Sequence, residues 1–492
     1  MLVYNIQNSK ISNNIYIPKY YDPELHNEIL SLSSTHNLHK LGDLLNTGVI
    51  TAKTGHEIGK MAYGTGNIPF VRTSDITNWE IKTIPKQGVS KEIYENYAVK
   101  EDVQDGDILL VRDGTYLIGT NCLITKMDMP MIFQSHILKF RVEDKEKINP
   151  FLFFLVLNSP LVQRQIKNMQ FTADIIDTLG NRYNELILPI PKSELKKNSL
   201  ISKIEDTIET RVKNKAAIKQ MPFLIESVLE EGTLEIFDAF FAKSTNQIIA
   251  ELIQDTTTLE FGEFSAYTIK SNAIFRNIFL PKYYDPSIKV SLDKLKNHCK
   301  LYSVKELIEN KVVELTTGDE IGKMAYGTGT IPFVRTSDFS NWEIKADAKQ
   351  GISEEIYQLY AEKEDVQAGD ILLVRDGTYL VGTSCLITEY DTKMLYCGGL
   401  YKIRIKDKSV IDEFLLLGLL NSYIVKRQIR TKQFTRDVID TLGRRFEEVI
   451  LPIPNDKNIK NGLSKYIKTV VYSRIKARNL ITNLSTNLCK KE

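Results

Sequence analysis

Only a few residues in this 492-residue chain are of a type and spacing that could do chemistry, and most of them fail on closer reading. Gly55-His56-Glu57-Ile58-Gly59-Lys60-Met61 approaches a phosphate-binding P-loop. It has one residue too few between the glycines, and Met61 stands where Ser or Thr would hold magnesium. Asn149-Pro150-Phe151 approaches the Asn-Pro-Pro-aromatic loop of amino-methyltransferases but lacks the second proline. Asn followed by Pro is better explained as a helix start, with Asn as N-cap and Pro at the first helical position. The six histidines are His26, His36, His39, His56, His136 and His298. The five cysteines are Cys122, Cys299, Cys385, Cys397 and Cys489; they form no CxxC pair and are odd in number. That argues against a disulfide framework or zinc knuckle and for a reducing compartment, so a cytoplasmic location is expected. With no HExxH and no nuclease-like cluster of carboxylates and Lys, the chain is expected to have no catalytic residues, no metal and no cofactor of its own.

A second class of residue is better represented: polar side chains that could bind phosphates and base edges. Lys60, Tyr63, Thr65, Arg72, Thr73, Ser74, Asn78, Arg112, Thr115 and Tyr116 all lie in or beside short apolar runs, and all of them recur. Their copies are Lys323, Tyr326, Thr328, Arg335, Thr336, Ser337, Asn341, Arg375, Thr378 and Tyr379, each 263 positions later. Thr54 to Asp75 and Thr317 to Asp338 agree at 20 of 22 positions, and Asp107 to Thr120 agrees with Asp370 to Thr383 at 13 of 14. The Gly64-Thr65-Gly66 run offers backbone amides for close approach to a nucleic-acid backbone. Asp75 and Asp113 are better suited to forming turns, and Trp79 and Trp342 to packing. The histidines do not repeat: His56 becomes Asp319 and His136 becomes Gly399. Cys122 and Cys385 do, inside apolar runs that suit buried small hydrophobes.

The elements that must position these side chains follow from the repeat. A period this long is a duplicated domain, not a solenoid. Residues 1–191 and 264–454 are expected to be the two globular copies, with a spacer helix at 192–232, an acidic insertion or linker at 233–263, and a distal spacer helix at 455–492. Ile68 to Arg72 and Asp107 to Arg112 are short apolar runs that suit strands. Asp113-Gly114 signals a turn. Asn158-Ser159-Pro160 restarts a helix, and Tyr423 in place of Pro160 predicts a softer break in the second copy. Leu463, Ile467, Val470, Arg474, Ala477, Ile481, Leu484 and Leu488 alternate spacings of 4 and 3, a heptad seam. Leu200, Ile204, Thr207, Arg211, Asn214, Ile218 and Met221 form a weaker seam with an arginine at the matching place. Two such helices are expected to pair antiparallel.

Composition agrees with a folded chain: 42% of residues are hydrophobic and 26% charged, and no apolar run is long enough to cross a bilayer. A net charge of +2 hides opposite poles. Nine acidic residues oppose Lys243 within 222–263, whereas 457–492 holds nine basic residues and one acidic residue. The acidic stretch suits either a solvated loop or a docking element for a protein partner.

This layout resembles the specificity (S) subunit of type I restriction-modification systems, with two target-recognition domains each followed by a long helix. The resemblance is carried by Ile68 to Asp75, Gly106 to Thr115 and Leu188-Pro189-Ile190-Pro191, and by their copies Ile331 to Asp338, Gly369 to Thr378 and Leu451 to Pro454. It implies an α+β chain: two tandem mixed α/β target-recognition domains separated by long helices in an antiparallel coiled coil, with pseudo-twofold symmetry. It implies a bipartite double-stranded DNA target, two methyltransferase subunits, a motor-nuclease subunit for cleavage, and S-adenosylmethionine held by the methyltransferase. The twenty polar residues above become the candidate DNA-binding set. A non-DNA adaptor built from a duplicated ligand-binding module, or a fused modification enzyme, would share parts of this pattern. Because the copies are so alike, the target is expected to be near-palindromic. Any asymmetry between half-sites should map to Asn67/Thr330, Ile76/Phe339, Thr83/Ala346, Ile84/Asp347, His56/Asp319 and His136/Gly399. Binding-site selection from random duplexes should return two related half-sites; two unrelated half-sites would refute this.

Overall fold

The computed structural model describes residues 6, 11, 15–114, 116–173, 176–254, 267–275, 278–346, 348–377, 379–436 and 439–490. The chain divides into two compact units, Met1–Thr210 with Lys476–Glu492, and Arg211–Ile475.

In each unit one four-stranded antiparallel sheet carries the core. In the first its spatial order is Ile50–Thr54, Ile137–Val142, Ile108–Val111, Asn121–Leu123. In the second it is Val313–Thr317, Leu400–Ile405, Ile371–Val374, Ser384–Leu386. Ile108–Val111 and Ile371–Val374 are buried along their whole length, so these strands are apolar runs and not alternating ones. Cys122 and Cys385 are fully buried inside the same sheets. A three-stranded sheet completes each globular part: Ile68–Val71 pairs antiparallel with Gln87–Val89 and parallel with Ile132–Phe133. The second copy repeats this with Ile331–Val334, Gln350–Ile352 and Leu395–Tyr396. His36–Lys40 pairs with Ile187–Pro191, and Cys299–Ser303 with Ile450–Pro454, so the start and end of each globular part lie side by side.

Capping sets the helix starts. Asn149 accepts from the amides of Phe151 and Leu152 at 2.8 and 3.3 Å, and Asp412 caps Leu415 at 2.8 Å. The break expected to be softer in the second copy is not. The helix Glu413–Asn421 stops, and Ser422 starts Tyr423–Lys432 by accepting from Val425, as Ser159 does for Val162. The serine cap makes the break, so losing the proline changes little. The bend expected at Asp113-Gly114 opens a longer connection. The connection runs from Arg112 to Thr120, and Asp113 bridges to Thr178.

The first long helix spans Glu194–Glu231 and the second Lys457–Leu488. At 1.5 Å per residue they are about 57 and 48 Å long. Within the first unit Lys196 Nζ donates to the Lys490 carbonyl at 3.3 Å, and His36 Nε2 lies 3.0 Å from the Leu488 carbonyl. Within the second unit Asn214 donates to Ser473 at 2.8 Å, while further along Leu234 lies against Gly462. Residue numbers rise on one helix as they fall on the other, which is antiparallel pairing. The seam positions Leu463, Ile467, Val470, Ile481 and Leu488 are fully buried. Beyond Glu231 the described part of the acidic insertion is not a loop. It forms helices Glu235–Ala242 and Thr245–Gln254, and Phe241 stacks on Tyr466 at 4.7 Å. Among the described residues no helix is long and apolar enough to cross a membrane.

The two arginines of the seam have a specific use. Arg211 Nη2 and Arg474 Nη2 each donate to Glu343 Oε1 at 2.7 Å, with all three side chains at most 3% exposed. Glu343 lies on the short hairpin Phe339–Ser340/Glu343–Ile344, so this cluster clamps that hairpin to the helix pair. Removing one partner of a buried ion pair leaves an uncompensated charge and costs about 3–5 kcal/mol. Glu343→Ala is therefore expected to lower stability by about that amount, and Glu343→Gln by less, measured as the shift in the urea-unfolding transition of the full chain. Equal stability of Glu343→Ala and wild type would show that the clamp carries no energy.

Candidate nucleic-acid interface

The candidate residues stand on three connections per copy: the loop between the first sheet strand and Ile68, the turn after Val71, and the connection after Val111. A buried carboxylate holds the first connection in place. In the first copy Glu101 accepts from His56 Nδ1 at 3.0 Å and from the Phe133 amide at 2.8 Å. In the second Glu364 accepts from the Asp319 amide at 3.2 Å and the Tyr396 amide at 2.8 Å. The loop passes so close to the neighbouring strand that only glycine fits: a Cβ on Gly318 would lie 2.0 Å from the Tyr396 carbonyl oxygen. Beneath, Lys139 donates to the carbonyl of Glu101 at 2.7 Å, satisfying the C-terminal end of helix Lys91–Glu101.

The candidates then separate by what they touch. Lys60 and Lys323 are exposed at the loop tips, beside the almost fully solvated Met61 and Met324. Thr65 and Thr328 are turn-closing residues. Thr65 donates to the Ala62 carbonyl at 2.8 Å and accepts from the Ser90 amide at 3.0 Å, and Thr328 does the same with Ala325 and Ser353. The Gly64 amide is used within the fold, donating to the Gly88 carbonyl at 2.8 Å, so the Gly-Thr-Gly run does not present it outward. Tyr63 stacks on Phe70 with the Arg72 guanidinium 5.9 Å from its ring; Tyr326, Phe333 and Arg335 repeat the arrangement.

Thr73 and Ser74 sit half-buried on a short 3-10 turn whose buried Asp75 accepts from the amides of Arg72 and Lys86, each at 3.0 Å. Asp75 is thus a turn-former, and burial pushes its carboxyl above the ordinary range. Thr336 and Ser337 are placed likewise before Asp338. Asn78 and Trp79 both have positive φ, 47° and 64°, as do Asn341 and Trp342, so the asparagines are hairpin-turn residues. Trp79 donates to Asn158 at 2.9 Å, and Trp342 is buried. Arg112 makes a two-pronged pair with Asp113, its Nη2 2.7 Å from Oδ2; Arg375 pairs with Asp376 at 2.6 Å. Tyr116 and Tyr379 are exposed, and Thr115 and Thr378 lie outside the described residues.

Residue-by-residue reading missed one cluster. Ser135 and His136 of the first copy meet Glu57, and His136 Nδ1 lies 3.2 Å from Asp113 Oδ2. This joins the loop at Glu57 to the connection at Arg112 through a tripeptide, Gln134-Ser135-His136. The available signal was its wholesale replacement by Cys397-Gly398-Gly399 next to loops that are otherwise nearly unchanged.

Residues 299–482 match the family model described as "Type I restriction modification DNA specificity domain". This stretch is a type I restriction-modification DNA specificity domain. The same sheet order and the near-identical loops recur in residues 36–219, the first copy of the repeat. The chain is also similar to two solved structures. One is the S subunit of a type I restriction-modification system from M. genitalium, at 10% identity and TM-score 0.36 over 93% of this chain and 96% of that one. The other is the HsdS subunit from Thermoanaerobacter tengcongensis, at 13% identity and TM-score 0.27 over 93% and 94%. No curated protein matches the chain.

Burial of Glu364 in the matched domain raises its carboxyl to about 7, from an ordinary 4.5. Between those values the folded domain holds a proton that the unfolded chain releases. Stability contributed by this group is therefore full below about 4.5 and lost as pH rises through about 7. Unfolding midpoints measured from about pH 4.5 to 8 should fall along that window, and Glu364→Gln should flatten the slope. A slope unchanged by the substitution would rule Glu364 out as its source.

Proposed function

We propose that the chain is the DNA sequence-specificity subunit of a type I restriction-modification complex, with each specificity domain reading one half of a split duplex target. The observation that carries this is the recurrence of a recognised specificity domain within one chain, joined by helices that pair antiparallel. Methyl transfer belongs to partner subunits, two methyltransferases that hold S-adenosylmethionine and extrude the adenine, since a stacked base cannot be reached. A motor-nuclease subunit is the further partner for cleavage. The near-identity of the loops supports a near-palindromic target.

Within the candidate set the geometry ranks the residues. Lys60, Lys323, Tyr116 and Tyr379 present exposed side chains to a duplex. Arg72, Thr73, Ser74 and their copies Arg335, Thr336 and Ser337 sit half-exposed at the strand ends. Thr65, Thr328, Asn78 and Asn341 shape the turns, and Arg112 and Arg375 act while paired to their neighbouring aspartates.

Reconstitution with a methyltransferase partner, followed by sequencing of methylated sites, should return a split adenine-containing target. Complexes that methylate nothing and fail to bind duplex DNA would overturn the reading. Lysines that neutralise phosphates release counterions, so log affinity should fall steeply with log salt. Lys60→Ala with Lys323→Ala should weaken binding evenly across sequences and reduce that slope by about 1 for each phosphate no longer neutralised. A loss confined to one target sequence would instead assign these lysines to base reading.

A further inference from the structure

The two specificity domains are nearly identical where their candidate readers lie, so the places where their polar chemistry differs beside those readers are informative. The largest such change is the tripeptide after the Ile132–Phe133 strand. Gln134, Ser135 and His136 carry an amide, a hydroxyl and an imidazole; Cys397, Gly398 and Gly399 carry one buried thiol.

The change alters what a duplicated carboxylate can do. In the first domain the Ser135 hydroxyl donates to Glu57, and His136 Nε2 lies 3.9 Å from Glu57 Oε1. The same imidazole approaches Asp113 with its other nitrogen, so it fills the gap between Glu57 and the Arg112–Asp113 pair. In the second domain neither side chain is present, and Glu320 itself reaches toward the place they would take. A Cβ on Gly398 would lie 3.1 Å from Glu320 Oε1, where the serine would stand, and no hydrogen-bond partner of the Glu320 carboxylate occurs among the described residues. A Cβ on Gly399 would lie 3.1 Å from Thr336 Cγ2 and 3.9 Å from Asp376 Cβ, so this glycine lets the strand end pack close to a candidate reader and the Arg375–Asp376 pair.

We propose that this tripeptide makes the two domains read different base pairs at one position of otherwise matching half-sites. In the second domain Glu320 accepts a hydrogen bond from an exocyclic amino group of cytosine or adenine in the major groove. In the first, Glu57 is occupied by Ser135 and His136, and the imidazole and hydroxyl face the base edge in its stead. A carboxylate selects a base that offers an amino donor, whereas imidazole and hydroxyl groups accept a different partner. The inference rests on the proposed DNA-reading function.

The test uses the full chain assembled with its methyltransferase partner and reads the methylated sites of a genome. Wild type should yield half-sites that differ at one position. Gln134→Cys, Ser135→Gly and His136→Gly together should make that position match in both halves and leave the others unchanged. Glu320→Gln should relax the second half-site there, by roughly 5- to 100-fold in site preference. Identical half-sites in wild type, or no change in target from either variant, would overturn the proposal while leaving the specificity function standing. A wild-type complex that methylates no split site would overturn both. Should the triple variant fail to fold, Glu320→Gln decides, since Glu320 is exposed.

Discussion

One oxygen atom, Oε1 of Glu343, accepts from two arginines that come from two different helices. Burying charge is expensive unless it is paired, and buried pairs seldom beat a well-packed apolar alternative in stability. What such a cluster supplies is register. Arg211 and Arg474 are equivalent residues of the two repeats, and equivalent positions of an antiparallel pair meet only where the helices cross. Their shared acceptor therefore fixes that crossing in the second unit and ties the Phe339–Ile344 hairpin to it. A one-turn slip of either helix would strand a guanidinium in an apolar seam. The domain's turn residues, including the left-handed Asn341 and Trp342, take their positions from that hairpin.

Much of this was legible in the sequence. The 263-residue offset, the apolar runs that became buried central strands, the Asn149 cap and the heptad seam all rest on periodicity or local capping, which a sequence displays directly. The paired arginines were visible too, but not their partner, because Glu343 lies more than 130 residues from either of them in sequence. The softer helix break expected at Tyr423 failed because the serine before it, not the proline, supplies the cap.

The candidate residues could be picked out as a set, but their individual contacts could not. Thr65 and Arg72 look equally suited to a phosphate, yet one closes a turn by bonding two backbone groups and the other leans on a tyrosine ring. Residue type gives the chemistry a side chain can do, while the direction it points depends on φ/ψ and on neighbours far along the chain. The Gln134-Ser135-His136 cluster was hidden for the same reason: its partners lie 78 residues back at Glu57 and 23 back at Asp113. Of the two readings the acidic stretch allowed, the solvated loop does not hold for its described part, because its charges mask an apolar face that Phe237 and Phe240 bury.

The pairing of His36–Lys40 with Ile187–Pro191, and of Cys299–Ser303 with Ile450–Pro454, brings the two ends of each globular part onto neighbouring strands. A module whose chain enters and leaves at one place can be excised and transplanted with little disturbance to the rest of its host. These ladders are thus natural seams for grafting a foreign module onto the rods, and a chimaera joined there would inherit a new address while keeping its old handles.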